Sequence, residues 1–130
     1  MKTTLKFRLV LAAAALALAS LTGCVAVIAA GAGAGTVAYV RGELESTLSA
    51  GYEKSTEATN LAVQQLQFAR VSERKDALDD IITLRTAGDR KVVIRITKVA
   101  ELTSKVRIRA GWFGDEALSL TILEKIRSNL

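Results

Sequence analysis

The most regular stretch of the sequence is TSKVRIRAGW, residues 103–112. From Lys105 to Ala110, cationic and apolar side chains alternate, a period that predicts a β-strand with one covered face and one polar face. The covered face is expected to hold Val106, Ile108, Ala110 and Trp112, and the polar face Lys105, Arg107 and Arg109. Trp112 and the following Phe113 are expected on opposite faces, one in the core and one exposed.

The stretches before this strand predict further strands. Residues 78–86 and 91–98 flank a turn at 87–90 that contains Gly88, which indicates a hairpin. Residues 39–48 predict a first strand, with Gly42 as a bulge or a point of close approach. Residues 70–77 are mixed in character and predict either a short strand or the approach to the next one.

Two amphipathic helices complete the pattern. Residues 52–69 and 116–129 carry apolar side chains three and four positions apart, with polar side chains between them. Asp115 is the expected N-cap of the second helix. Gly111 and Gly114 are expected in the turn between the last strand and this helix. Asp115 and Glu116 could also form a catalytic carboxylate pair, but adjacent residues at a helix start seldom converge on one substrate, so capping is preferred.

The predicted fold class is α+β. The order β-α-β-β-β-α and the one-sided alternation of the strands predict a two-layer sandwich, in which a mostly antiparallel sheet of about four strands has two helices on one face. Residues 37–130 are long enough for one modest hydrophobic core and are taken as one domain.

The beginning of the chain has the layout of a secretory signal. Residues 1–8 are basic without an acidic residue, and residues 9–19 are entirely apolar. Leu21, Thr22, Gly23 and Cys24 follow and resemble the lipobox of bacterial lipoproteins. The resemblance implies cleavage between Gly23 and Cys24 and lipid modification of Cys24. Residues 24–36, rich in Ala and Gly, would then be the tether.

The lipobox resemblance also implies a location. Val25 follows the cysteine, where Asp would retain an enterobacterial lipoprotein in the inner membrane. The expected location is therefore the outer membrane, on its periplasmic face, with the lipid bilayer contacted through acylated Cys24; the inner membrane stays an alternative. A second alternative is an uncleaved signal anchor, because residues 9–40 contain few polar side chains.

Most of the chain resembles a family of small Gram-negative lipoproteins that is catalogued as a domain of unknown function. The resemblance is carried by the segment at 21–24, the Ala/Gly run, residues 39–44 and residues 108–119. It implies a fold and a location for this chain, and no activity.

Composition excludes several classes of function. The chain has no His and a single Cys, so a His-based catalytic triad and a multi-Cys metal site are excluded, and neither an enzyme, a cofactor nor a metal is expected. The net charge of +5 includes three bases in residues 1–8, and their removal leaves 15 bases against 13 acids. Nucleic acid is therefore not an expected partner.

The candidate binding surface is the polar side of the predicted sheet. Its expected cations lie on three successive strands and are Arg85, Lys91, Arg95, Lys105, Arg107 and Arg109. Like charges opposite one another destabilise a sheet, which suggests an anionic partner: an envelope protein, an acidic envelope polymer or lipid headgroups. The alternative is a solvated face that Glu43 and Glu45 partly neutralise if the first strand pairs alongside. A further alternative function is the capture of a small amphiphile between helices and sheet.

Overall fold

The computed structural model describes residues 37–130, which form an antiparallel six-stranded sheet and two helices. In chain order the elements are β1 (Val37–Val40), β2 (Glu43–Leu48), α1 (Tyr52–Gln65), β3 (Ala69–Lys75), β4 (Asp79–Arg85), β5 (Lys91–Ala100), β6 (Thr103–Ala110) and α2 (Glu116–Ser128). The strand order across the sheet is β1-β2-β6-β5-β4-β3. The α+β class and the two helices are confirmed, whereas the predicted number of about four strands is wrong.

One additional strand comes from the division of the predicted first strand, and the other is the short strand given as one of the two alternatives for residues 70–77. Arg41 and Gly42 have φ angles of 54° and 78°, so they reverse the chain within two residues and divide the predicted first strand into the hairpin β1–β2. Residues 69–75 form the full edge strand β3, all of whose residues are exposed. A strand without a covered face shows no alternation, which explains the mixed character of its sequence.

The helices cover one face of the sheet, and the core lies between the two. α1 contacts β5 and β6, and α2 contacts β2 and β6. The buried sheet residues alternate along each strand, as the period of two requires. The largest fully buried side chains are Leu44, Leu48, Ile82, Leu84, Val92, Ile94, Ile96, Val106, Ile108, Ile122, Leu123 and Ile126. None of the helices in residues 37–130 has the length and apolar character needed to span a bilayer.

The predicted burial of Trp112 is wrong. β6 ends at Ala110, and Gly111 takes a φ of 74° that turns the chain out of the strand. The alternation therefore stops before Trp112, whose side chain is 90 % exposed, and Phe113 is 96 % exposed. The prediction that one of the two aromatic side chains lies in the core fails for both.

One carboxylate interrupts the core. Asp80 of β4 lies on the helix side of the sheet, is fully buried, and neither carboxylate oxygen has a hydrogen-bond partner. Burial, followed by the nearby charge of Glu73, raises the pKa of this carboxyl group. Asp80 therefore releases its proton at a higher pH in the folded protein than in the unfolded chain.

The expected leader, lipobox and tether lie outside the described residues. These expectations concern residues 1–23, the flank Leu21, Thr22 and Gly23, the lipidated Cys24, and residues 24–36.

Candidate functional site

The face of the sheet opposite the helices is open. Directly opposed residues of antiparallel strands lie on the same face, so the register defines which side chains share it. One row across this face contains Glu45 of β2, Arg107 of β6, Arg95 of β5 and Ile81 of β4. The neighbouring row contains Glu43, Arg109, Val93 and Thr83. The face is thus a mixture of cations, carboxylates and a few apolar side chains.

All six cations singled out in the sequence lie on this open face. Lys91 and Arg85 are register partners, as are Arg95 and Arg107, and Arg109 and Lys105 lie on the same side of β6. The predicted set is Arg85, Lys91, Arg95, Lys105, Arg107 and Arg109. The structure adds Arg74, which lies opposite Ile81 on β3.

The cations of β6 are neutralised by their neighbours on β2. Arg107 Nε lies 2.7 Å from Glu45 Oε2, and Lys105 Nζ lies 3.0 Å from Glu45 Oε1. Arg109 Nε lies 3.9 Å from Glu43 Oε2. Hydrogen bonds from Lys105 and then Arg107 lower the pKa of Glu45. This half of the face therefore matches the alternative of a surface that Glu43 and Glu45 partly neutralise, with two carboxylates against three cations.

The cations of β5 are not neutralised in this way. Arg85, on β4, pairs with Asp89 of the β4–β5 turn at 3.2 Å. Within residues 37–130, no carboxylate lies within ion-pairing distance of Lys91 or Arg95. Among the described residues, the positive charge of this face that has no carboxylate beside it therefore lies on β5, at Lys91 and Arg95, and on the edge strand β3, at Arg74.

Two adjoining depressions lie around these unpaired cations. The first has a volume of about 240 Å³ and is lined by Lys91, Val93, Arg109, Gly111 and Trp112. The second has a volume of about 270 Å³ and is lined by Glu43, Ile81, Val93, Arg95, Arg107 and Arg109. They meet at Val93 and Arg109. The result is a shallow surface with an apolar centre, cations on both sides of it and a tryptophan at its edge.

The tryptophan belongs to a loop, residues 111–115, that we call the aromatic loop. Gly111 N–H donates a hydrogen bond to the carbonyl oxygen of Lys91 at 2.7 Å, which fixes the beginning of the loop against β5. Gly114, with a φ of 83°, packs against the β1–β2 turn at Gly42. The loop is thus fixed at both ends while its two aromatic side chains project into solvent.

Asp115 closes the aromatic loop and begins α2. Its side chain accepts a hydrogen bond from Leu118 N–H at 3.0 Å and forms an ion pair with Arg90. The backbone hydrogen bond from Leu118 is the main cause of the lowered pKa of Asp115, and Arg90 adds to it. Capping of α2 and the ion pair with Arg90 account for the position of the Asp115 side chain, so its geometry gives no indication of a catalytic role.

Comparison with known protein families matches residues 6–129 to DUF3568, a family described as proteins of unknown function. The chain belongs to this family. No curated protein matches the chain. The expected membership of an uncharacterised family is confirmed, and the match spans the open face, the aromatic loop and both helices of this DUF3568 protein.

Sequence reasoning missed three residues of this DUF3568 protein that the structure brings forward. Val93 forms the apolar centre of the open face, Arg74 adds a cation, and Asp80 lies in the core. The alternation along β4 could have predicted the burial of Asp80, because residue 80 lies on the same side of the strand as Ile82 and Leu84, which point into the core. Arg74 carried no such signal, since β3 is exposed on both sides.

Proposed function

We propose that this DUF3568 protein is a lipid-anchored, non-enzymatic interaction module of the bacterial cell envelope that binds an acidic partner protein through its open sheet face. The support for the anchor is in the sequence, where a signal-like leader ends in Leu-Thr-Gly-Cys at residues 21–24. Acylated Cys24 would hold the protein at the periplasmic face of the outer membrane. The support for binding is the open face.

The observation that carries the binding proposal is the unpaired charge around Val93. Lys91 and Arg95 precede and follow Val93 on the same side of β5, about 13 Å apart along the strand. Elsewhere on this face each of the three cations of β6 lies in an ion pair with Glu43 or Glu45. Lys91 lies directly opposite Arg85 and Arg95 directly opposite Arg107, and within residues 37–130 neither Lys91 nor Arg95 has a carboxylate beside it, so an acidic partner would relieve this like-charge repulsion.

The layout of the face favours a protein over a polymer or a lipid headgroup. Protein interfaces combine an apolar centre with a polar rim, and Val93 and Ile81 lie between cations in this way. Tryptophan is strongly enriched among the residues that dominate binding, and Trp112 is fully accessible at the edge of the face. The cations would orient an approaching acidic protein, and the apolar residues would then be covered.

The alternative of a small amphiphile held between helices and sheet has no observation in its favour among residues 37–130. The side chains between these layers are fully buried and form one continuous cluster. The absence of His from the whole chain gives an enzymatic alternative no support either.

Site-specific photocrosslinking in intact cells tests the binding proposal. A photoreactive phenylalanine analogue in place of Val93 is expected to form an adduct with one envelope protein, because this position lies at the centre of the face. The analogue in place of Leu61, on the outer side of α1, is the positional control and is expected to form none. Lys91→Ser combined with Arg95→Ser is expected to reduce the adduct at position 93 strongly.

A matched charge control separates local contact from net charge. Lys54→Ser combined with Lys125→Ser removes the same charge from the two helices and is expected to leave the adduct unchanged. An equal loss of the adduct in the Lys91/Arg95 and the Lys54/Lys125 double variants would contradict a local contact with the open face. An adduct that contains lipid or glycan and no protein would contradict a protein partner.

A further inference from the structure

The two ends of the sheet carry different exposed apolar groups. β1 runs from Val37 towards the β1–β2 turn, which packs against the aromatic loop. The chain therefore enters the sheet from the half opposite to this loop. β5 and β6 are joined by a turn in that same opposite half. The half that holds the chain entry and the β5–β6 turn is called the entry half.

Three aliphatic side chains project from the end of the entry half. Leu78, Val99 and Leu102 are each more than half exposed, and Leu102 reaches 76 %. Lys98 N–H donates to the carbonyl oxygen of Leu78 at 2.7 Å, so Leu78 lies beside the strand that continues into Val99. Leu102 lies in the following turn. We call these three residues the aliphatic tip.

Charge at this end is mixed. Lys98 is exposed beside the aliphatic tip, and Glu101 is exposed in the same turn. Asp76 lies in the β3–β4 turn directly after Lys75, and Asp79 is the first residue of β4. A partner recognised here would be bound through apolar contact, in contrast to the open face with its unpaired cations.

We propose that the aliphatic tip lies in the interfacial region of the bilayer to which the chain is anchored, and that the aromatic loop is held at the side away from that bilayer. This inference rests on the proposed lipid anchor at Cys24. Residues 24–36 join Cys24 to the start of β1 in the entry half, so the entry half is the part of the domain closest to the anchor along the chain. Their apolar composition favours a short path along the membrane surface.

The consequence is an upright domain. The eight residues of β6 alone span about 26 Å between the two ends of the sheet. With the aliphatic tip on the lipid, Trp112 and the unpaired cations of β5 face the periplasm, where an acidic protein can reach them. With the aromatic loop on the lipid, the same surface would be blocked.

The single tryptophan of the chain makes the orientation measurable. The full protein is purified from envelopes and reconstituted into phosphatidylcholine vesicles with or without bromine on the acyl chains, because bromine quenches nearby tryptophan. Trp112 is expected to keep its emission. Trp112→Phe combined with Leu102→Trp is expected to lose most of its emission in brominated vesicles, at high salt as well as low salt, because the contact is apolar.

Trp112→Phe combined with Leu61→Trp is the matched control and is expected to stay bright, because Leu61 lies on the flank of the domain. Quenching of Trp112, or undiminished emission from the tryptophan introduced at position 102, would overturn the orientation. The intact mass of the same samples reports separately whether Cys24 is lipidated. If Cys24 is lipidated and the tryptophan at position 102 is not quenched, the proposed membrane contact of the aliphatic tip is refuted and the lipid anchor is not. If the tryptophan at position 102 is quenched and Cys24 is unmodified, the lipid anchor is refuted and the membrane contact is not.

Discussion

Gly114→Ala is expected to lower the free energy of unfolding by at least about 2 kcal/mol, because two costs coincide at this position. The φ of Gly114 is 83°, a left-handed conformation that a residue with a Cβ adopts at a cost. A Cβ here would also overlap the backbone of Gly42 and the hydroxyl group of Tyr39. The contact with Gly42 cannot be relieved cheaply, because it involves backbone atoms of the β1–β2 turn.

Thermal unfolding measures this cost. The midpoint of Gly114→Ala is expected to fall by at least roughly 8 °C in a domain of this size. Gly88→Ala is the matched control: its nearest neighbouring atom is Thr86 Oγ1 at 3.9 Å and no left-handed φ is required. The control is expected to stay within about 0.5 kcal/mol of the parent protein. Equal midpoints for the two variants would refute the close contact between the aromatic loop and the β1–β2 turn.

Asp80→Asn is expected to raise the free energy of unfolding at pH 7, because the folded state then no longer holds an ionisable carboxyl group whose pKa is raised by burial. Both oxygens of Asp80 are buried without a hydrogen bond. Asn has nearly the same shape and carries no charge, so the substitution removes the desolvation of a carboxylate and leaves the packing unchanged.

The pH dependence of this effect has a definite sign. Burial raises the pKa of Asp80 in the folded state, so the unfolded state ionises first as the pH rises. Stability is therefore lost between the ordinary pKa of a carboxyl group and the raised one. The difference between Asp80→Asn and the parent protein should accordingly shrink as the pH falls to about 4, where Asp80 is neutral. Urea unfolding at several pH values measures it.

Asp76 provides the control of opposite sign. Its carboxylate accepts hydrogen bonds from Leu78 N–H and Asp79 N–H, which lower its pKa. A lowered pKa stabilises the folded state at neutral pH, and this contribution is lost as the pH falls. Asp76→Asn is thus expected to destabilise at pH 7. A stabilising Asp76→Asn, or an Asp80→Asn effect that does not change with pH, would contradict these assignments.

The sequence predicted those elements whose side chains divide cleanly into covered and open faces. β6 and the β4–β5 hairpin alternate and were found, and so was α2, which begins after Asp115. The hairpin β1–β2 is not predicted, because its turn is formed by Arg41 and Gly42. Arg41 takes a positive φ, and an Arg residue gives no sequence signal for such a turn. The alternation of β6 was extended wrongly to Trp112 because a turn at Gly111 has no signature until its φ is known.

The candidate site was predictable only to the level of a face. Alternation places all six cations on one side of the sheet, but the availability of each cation depends on the strand that pairs beside it. Placing β2 next to β6 puts Glu45 within 2.7 Å of Arg107, whereas β5 lies between two strands that offer Arg95 no carboxylate. That distinction depends on strand order, which no local pattern in the sequence encodes.

The most direct test of the account is the intact mass of the protein purified from bacterial envelopes. We expect a chain that has lost residues 1–23 and carries a diacylglyceryl group and an acyl chain on Cys24, the only cysteine of the sequence. Cys24→Ala is expected to keep the leader and gain no lipid. A parent protein with residues 1–23 in place and an unmodified Cys24 would contradict the lipid anchor and, with it, the proposed envelope function.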